Sequence, residues 1–171
     1  MAIMKIVDKE DKYTGQSKYK DDDARMDVYT YIYDLNHTGN SKKLKSNIMG
    51  GSHVNMADPV QSMEEVAVKF HKDRGIRLKH LIISFDQYEI LDIGWLAEEV
   101  QLISDRIGMV YQNIYAIHED KNTPHVHIMM NTVNHINGYK YNAQQEKAWL
   151  VDIVADAMRN LDIDNFRVYG K

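Results

Sequence analysis

At 171 residues the chain is the size of one domain, and with 44% hydrophobic residues it can bury a core without covalent staples. Cysteine is absent, which excludes disulfide frameworks, thiolate metal sites and cysteine nucleophiles and fits a reducing, cytoplasmic setting. The formal net charge of −4 argues against indiscriminate binding to polyanions, and neither a membrane-length apolar run of roughly 20 residues nor a signal-peptide start is present, so no membrane insertion is expected.

AIMKIV, residues 2 to 7, has the apolar and β-branched content of a first strand, and the polar stretch DKEDKYTGQSKYKDDD after it reads as a loop. Asp23 is placed to cap a helix through ARMDVYTYIYDL. HTGNSKKLKSNIMGGS then has the Gly, Asn and Ser density of a long irregular connection. SMEEVAVKFHKDRG opens on a Ser-x-x-Glu capping box, Ser62 and Glu65, and closes on Gly75, which predicts a helix between them. RLKHLIISF, residues 77 to 85, predicts a buried strand, and a helix follows from about Ile93 to Ile107, stopping at Gly108. MVYQNIYAIH and PHVHIMMNTV read as two strands separated only by EDKNT, so the simplest pairing is an antiparallel hairpin. AQQEKAWLVDIVADAMRNL is a well-patterned helix, and NFRVYGK a last short strand. Strands and helices alternate without the rhythm of a doubly wound fold. The expected class is α+β, a mostly antiparallel central sheet flanked by helices, in a single domain that stands alone or forms the N-terminal part of a longer protein.

Three of the eight histidines fall within ten positions, in HEDKNTPHVH. Side chains alternate along a strand, so His125 and His127 point the same way and Val126 the other. Hairpin pairing across EDKNT brings His118 beside them. Three neutral imidazoles on two rigid strands make a site for a divalent cation with coordination positions left open, which is what catalysis needs. One histidine alone reads more simply as a hydrogen-bonded core residue, and that is the default for His37, His53, His71, His80 and His135.

His118-x6-His125-x-His127, followed by Ile-Met-Met-Asn131, resembles the metal-binding motif of the mobilisation relaxases, members of the HUH endonuclease superfamily. HLIISFDQYE, with His80, Ser84, Phe85 and Glu89, is similar to that family's His-x-(apolar)-x-Ser-Phe segment, and the likeness spans roughly residues 26 to 142. The resemblance implies a DNA relaxase: a tyrosine attacks a phosphodiester of single-stranded DNA at the origin of transfer of a plasmid or integrative element, remains on the 5′ phosphate and frees a 3′ hydroxyl. It also implies a divalent metal that withdraws charge from the phosphate. Hard phosphate oxygens suit Mg²⁺ or Mn²⁺, whereas three imidazoles by softness prefer Zn²⁺ or another transition metal. The implied partners are accessory mobilisation and secretion-coupling proteins, and the implied setting is the bacterial cytoplasm, with the chain acting as a monomer.

Eleven tyrosines compete for the nucleophile's role, and VYTYIYDLNH supplies Tyr29, Tyr31 and Tyr33. On a helix Tyr29 and Tyr33 share a face and Tyr31 points elsewhere, but this does not choose among them. The resemblance does: the relaxase tyrosine stands in a Tyr-Ile pair ahead of a polar turn, and only Tyr31-Ile32 matches. The lysine and threonine that often close that motif appear here as His37 and Thr38, so His37 is an alternative phosphate contact or nucleophile. Replication initiators and single-tyrosine transposases of the superfamily carry their tyrosine on a helix after the histidine pair. AQQEKAWLVDIVADAMRNL has none, which leaves Tyr139 and Tyr141 as structural or DNA-contacting residues. Asp120, at the family's Asp position, is the preferred partner to orient a metal-ligating histidine or take the tyrosine proton, ahead of Glu89 and His80. Lys42, Lys43 and Lys45 are the expected phosphate contacts, with Ser52, Asn55 and Asn131 as further DNA-contacting residues. A non-catalytic DNA-binding module is the alternative from another class.

Overall fold

The protein is described by a computed structural model, over residues 1–34, 48–89 and 91–170. Its described elements are β1 (Ala2–Val7), a 3-10 turn (Lys18–Lys20), α1 (Ala24–Tyr33), β2 (Met49–Ser52), α2 (Pro59–Lys69), β3 (Leu78–Phe85), α3 (Ile93–Gly108), β4 (Asn113–His118), β5 (His125–Asn131), α4 (Ala143–Asn160) and β6 (Phe166–Tyr169). The strands form one six-stranded sheet in the order β2-β4-β5-β3-β1-β6, antiparallel throughout except that β6 lies parallel to β1. This is the expected α+β sheet with flanking helices.

Strand alternation sorts the core into two layers. Met4 and Ile6 of β1, Leu81 and Ile83 of β3, Ile117 of β4 and Val126 and Ile128 of β5 point to one face, where α3 and α4 cover them with Leu96, Ile103, Leu150 and Val154. Ile114, Ala116, Met129 and Leu78 point to the other, beneath Val28 and Ile32 of α1 and Met63 of α2. β4 and β5 are buried along their whole length, as a sheet covered on both faces requires. His118, His125 and His127 alternate with Ile117 and Val126, so the sheet directs all three imidazoles to the α1 side.

Three sequence expectations are corrected. A strand occupies the end of the presumed irregular connection: β2, MGGS, pairs with β4 at the sheet edge. Its glycines admit a close neighbour, and α3 packs there so tightly that a Cβ on Gly108 would fall 2.1 Å from Ser52 Oγ. α2 starts before Ser62, because Asp58 accepts from the Gln61 N–H and Pro59 takes the first turn, where its missing donor costs nothing. Ser62 instead accepts from the Asn55 N–H. The helix ends at Lys69, and Gly75 turns the following loop at φ 74°. No described helix is long and apolar enough to cross a membrane.

Candidate metal centre and nucleophile

β4 and β5 meet in register with His118 opposite His125. One ring nitrogen from each of His118, His125 and His127 lies within 4.8 Å of the others, all three side chains buried. The rings are held from behind. His118 Nε2 is 2.7 Å from the carbonyl oxygen of Ile32. A carbonyl only accepts, so this nitrogen carries the proton and Nδ1 carries the lone pair. Ile32 lies in the last turn of α1, whose carbonyls have no partner within the helix, so the contact also satisfies a helix end. His127 Nδ1 is 2.9 Å from His80 Nε2, and Tyr19 Oη stands 3.4 Å from His80 Nδ1. His125 Nε2 lies 3.6 Å from Asp120 Oδ1.

Burial favours the neutral form of His125 and of the neighbouring His80. Burial and the neighbouring His118 lower the His125 pKa, opposed in part by Asp120. Burial, with Lys9 and His118, lowers His80 to about 4. A neutral imidazole is the species that donates a lone pair to a metal, and burial favours it by penalising the charged one. Three buried nitrogen donors, two in rings held by a carbonyl or an imidazole and the third beside a carboxylate, fit a divalent ion.

Of the three clustered tyrosines, Tyr31 stands against this site. Its ring centroid is 5.5 Å from that of His127, 6.0 Å from His118 and 6.3 Å from His80, edge-on in each case. The side chain remains 47% exposed, so it is open to a large substrate. Burial, then the carboxylates of Asp120 and Asp34, raise its pKa above the ordinary tyrosine value, so the phenol is neutral before any cation is bound. Tyr29 and Tyr33 pack on each other 5.0 Å apart, as four-residue spacing on a helix demands, and Tyr33 donates its hydroxyl to Gly50 O.

The remaining expected site residues scatter. Glu89 accepts from the N-terminal ammonium of Met1 and is spent there. Tyr139 is exposed beyond the far end of β5, and Tyr141 packs 5.9 Å from Tyr111. Ser52 lies opposite Asn113, on the face covered by α3, and Asn131 ends β5 six residues, about 20 Å of strand, from His125. Asn131 has no exposed surface. Its Oδ1 accepts from Arg25 Nη2 at 3.0 Å and its Nδ2 donates to Met63 O and Gln112 Oε1, which makes it a strut between α1, α2 and the sheet. Asn55 is exposed in the loop after β2, also at the end of the sheet away from His118. Lys42, Lys43, Lys45, His37 and Thr38 lie outside the described residues. Sequence reading missed the Ile32 carbonyl at the site and, away from it, the buried structural Arg25. A backbone acceptor carries no sequence signal, and Arg25 reads as one more surface charge on a helix until its burial is seen.

A model of the relaxase family, described as MobA/VirD2-like, nuclease domain, matches residues 31–162. No curated protein and no solved structure matches the chain significantly. The family match begins at Tyr31 and contains all three histidines.

Proposed function

Since the chain belongs to the relaxase family, we propose that it nicks and rejoins one strand of DNA at an origin of transfer through Tyr31, in conjugative transfer or mobilisation. The Tyr31 oxygen attacks the scissile phosphorus. The P–O3′ bond breaks, the 3′ oxygen leaves and takes up a proton, and the 5′ phosphate stays on the tyrosine. Attack by the 3′ hydroxyl on that phosphotyrosine reverses the reaction and rejoins the strand.

The observation that carries this reading is the position of the Tyr31 ring against His118 and His127. His118, His125 and His127 would hold a Mg²⁺ or Mn²⁺ ion, or Zn²⁺ in its place, which would supply Lewis acidity at the phosphate. Ile32 O and His80 orient two of those rings, and Asp120, which faces the third and whose charge acts on Tyr31, is the proposed acceptor of the phenolic proton. Tyr31 begins with a pKa raised by burial and by Asp120 and Asp34, so its attack needs a base to take the phenolic proton.

Lys42, Lys43 and Lys45 follow α1 closely in sequence and are the proposed phosphate contacts. The reading as an initiator or transposase needs a nucleophile after the histidines, and Tyr139 and Tyr141 stand away from them. Incubation with origin-derived single-stranded oligonucleotides and Mn²⁺, followed by SDS electrophoresis, tests the proposal. A protein-DNA species that survives SDS and maps to Tyr31 supports it, and no adduct with a cognate oligonucleotide refutes it. An unimpaired affinity for the same strand without any adduct would instead favour a non-catalytic binding module.

A further inference from the structure

A cavity of about 440 Å³ opens beside Tyr31, between α1, the 3-10 turn and strands β1 and β3. Its volume lies in the range of sites that enclose small ligands. Tyr31 and His80 form the wall it shares with the histidine cluster, so anything bound in it is next to whatever Tyr31 attacks. Val7, Val28 and Ile82 give it an apolar floor. Charges of both signs stand on its rim, with Asp21 three residues after Lys18 in the same turn. Lys9 and Lys18 lie side by side, linked by the Lys18 N–H to Lys9 O bond. Asp21 and Asp27 are the carboxylates. Asp27 is four residues before Tyr31 on α1, hence on the same helix face and about 6 Å away along the axis.

An apolar floor receives a flat aromatic face, ammonium groups receive a phosphate, and ionised carboxylates, which only accept, receive hydrogen-bond donors. A nucleotide offers all three together. We propose that this cavity is a base-reading subsite: it takes one base of the DNA strand adjacent to the phosphate attacked by Tyr31, and Asp21 and Asp27 select a base that carries an amino group over thymine. Adenine, cytosine and guanine each present an exocyclic amine to a carboxylate, as a carboxylate accepts from cytosine N4 in duplex recognition. Thymine flanks its single N–H with two carbonyl oxygens, which the carboxylates repel. The occupant's identity rests on the relaxase reading, while the cavity's preference among bases does not.

Two measurements on the full chain separate these. In the first, methyl resonances are followed by NMR while dAMP, dCMP, dGMP or dTMP is added. Shifts concentrated on Val7, Val28 and Ile82, with dTMP binding about fivefold more weakly or worse, are expected. The double variant Asp21→Asn, Asp27→Asn, altered only at exposed positions, loses that difference, and Val7→Trp, which fills the cavity from the end of β1, loses the shifts. Absence of shifts at these methyls in the parent protein, or equal affinity for dTMP, overturns the proposal. In the second, a random pool of single-stranded oligonucleotides is incubated with Mn²⁺ and the SDS-resistant adducts are sequenced. Thymine is depleted at one position flanking the nick, and the double variant restores it severalfold at that position alone. Adducts with unchanged preference in the double variant overturn the subsite. Base-selective shifts in the first measurement with no adducts in the second would refute the nuclease reading and leave the subsite standing.

Discussion

His118 donates its Nε2 proton to the carbonyl oxygen of Ile32 across 2.7 Å, which ties a proposed metal ligand on β4 to the turn of α1 that carries Tyr31. One hydrogen bond thus does two jobs. It leaves His118 Nδ1 with the lone pair, and it holds the residue next to Tyr31 against the histidine cluster. The reacting groups come from helix and strand, rigid elements that fix geometry better than loops do.

Tyr31→Phe is expected to abolish the covalent adduct while leaving the fold and metal affinity intact, because the lost hydroxyl belongs to a half-exposed ring. Its effect on stability stays within about 0.5 kcal/mol. Tyr33→Phe is the contrasting control: it removes the hydrogen bond to Gly50 O, costs about 1 kcal/mol and keeps the adduct. Adduct yield and urea unfolding of both variants distinguish the roles.

Removal of the metal should show in stability as well as in activity. A ligand that binds only the folded state stabilises it by mass action, so saturating Mn²⁺ or Zn²⁺ raises Tm and a chelator reverses the rise. His125→Ala and His127→Ala should each lose most of that rise together with adduct formation, read by calorimetric titration and thermal melts.

His80 and Asp120 act through the ligands they touch. His80→Ala and Asp120→Ala are each expected to weaken metal affinity about 10- to 100-fold without removing a ligand. Excess metal restores adduct formation in the His80 variant. A variant that binds metal as the parent does would show that the 2.9 Å contact between His80 and His127 has no orienting role.

Asn131→Ala strands the buried guanidinium of Arg25 without its amide acceptor. A lost hydrogen bond to a charged group implies a destabilisation of about 2 to 3 kcal/mol. Affinity of the folded fraction for single-stranded DNA should not change, since Asn131 has no surface to offer. A large loss of DNA affinity at full stability would return it to the binding residues.

Alkaline pH should unfold the protein through its buried phenols. Burial raises Tyr19 and Tyr141 to about 12, and raises Tyr33 and Tyr111 further, the last helped by its hydrogen bond to Glu146. Above pH 10 the unfolded chain releases these protons while the folded one keeps them. These phenols therefore leave stability unchanged up to about pH 10 and lower it as pH rises toward 12, each buried tyrosine contributing at most about 1.4 kcal/mol per pH unit. Urea midpoints at pH 9, 10 and 11 measure the slope, and Tyr111→Phe should flatten it.

The histidine triad was legible in sequence because it depends on short-range periodicity. His125 and His127 share a face in any strand, and a short polar loop between two apolar segments returns His118 beside them. The same local logic carried β1, β3, α3, α4 and the β4–β5 hairpin. It failed for β2, whose glycines read as loop until β4 offers them an edge, and for the start of α2, where the capping-box pattern competed with Asp58 and Pro59.

By itself, then, the sequence determined what repeats along the chain: which residues alternate, where helices stop, and that three imidazoles gather on one side of two strands. Only the tertiary structure decided what meets across the chain. It set the Tyr31 ring rather than those of Tyr29 or Tyr33 against the triad, turned Ser52 toward α3, buried Asn131 under Arg25 and put His80 behind His127. The physical reason is that a side chain's face follows from its neighbours in sequence, whereas its partners follow from the order of strands and the seat of α1 on the sheet, which residues distant in the chain settle together by packing.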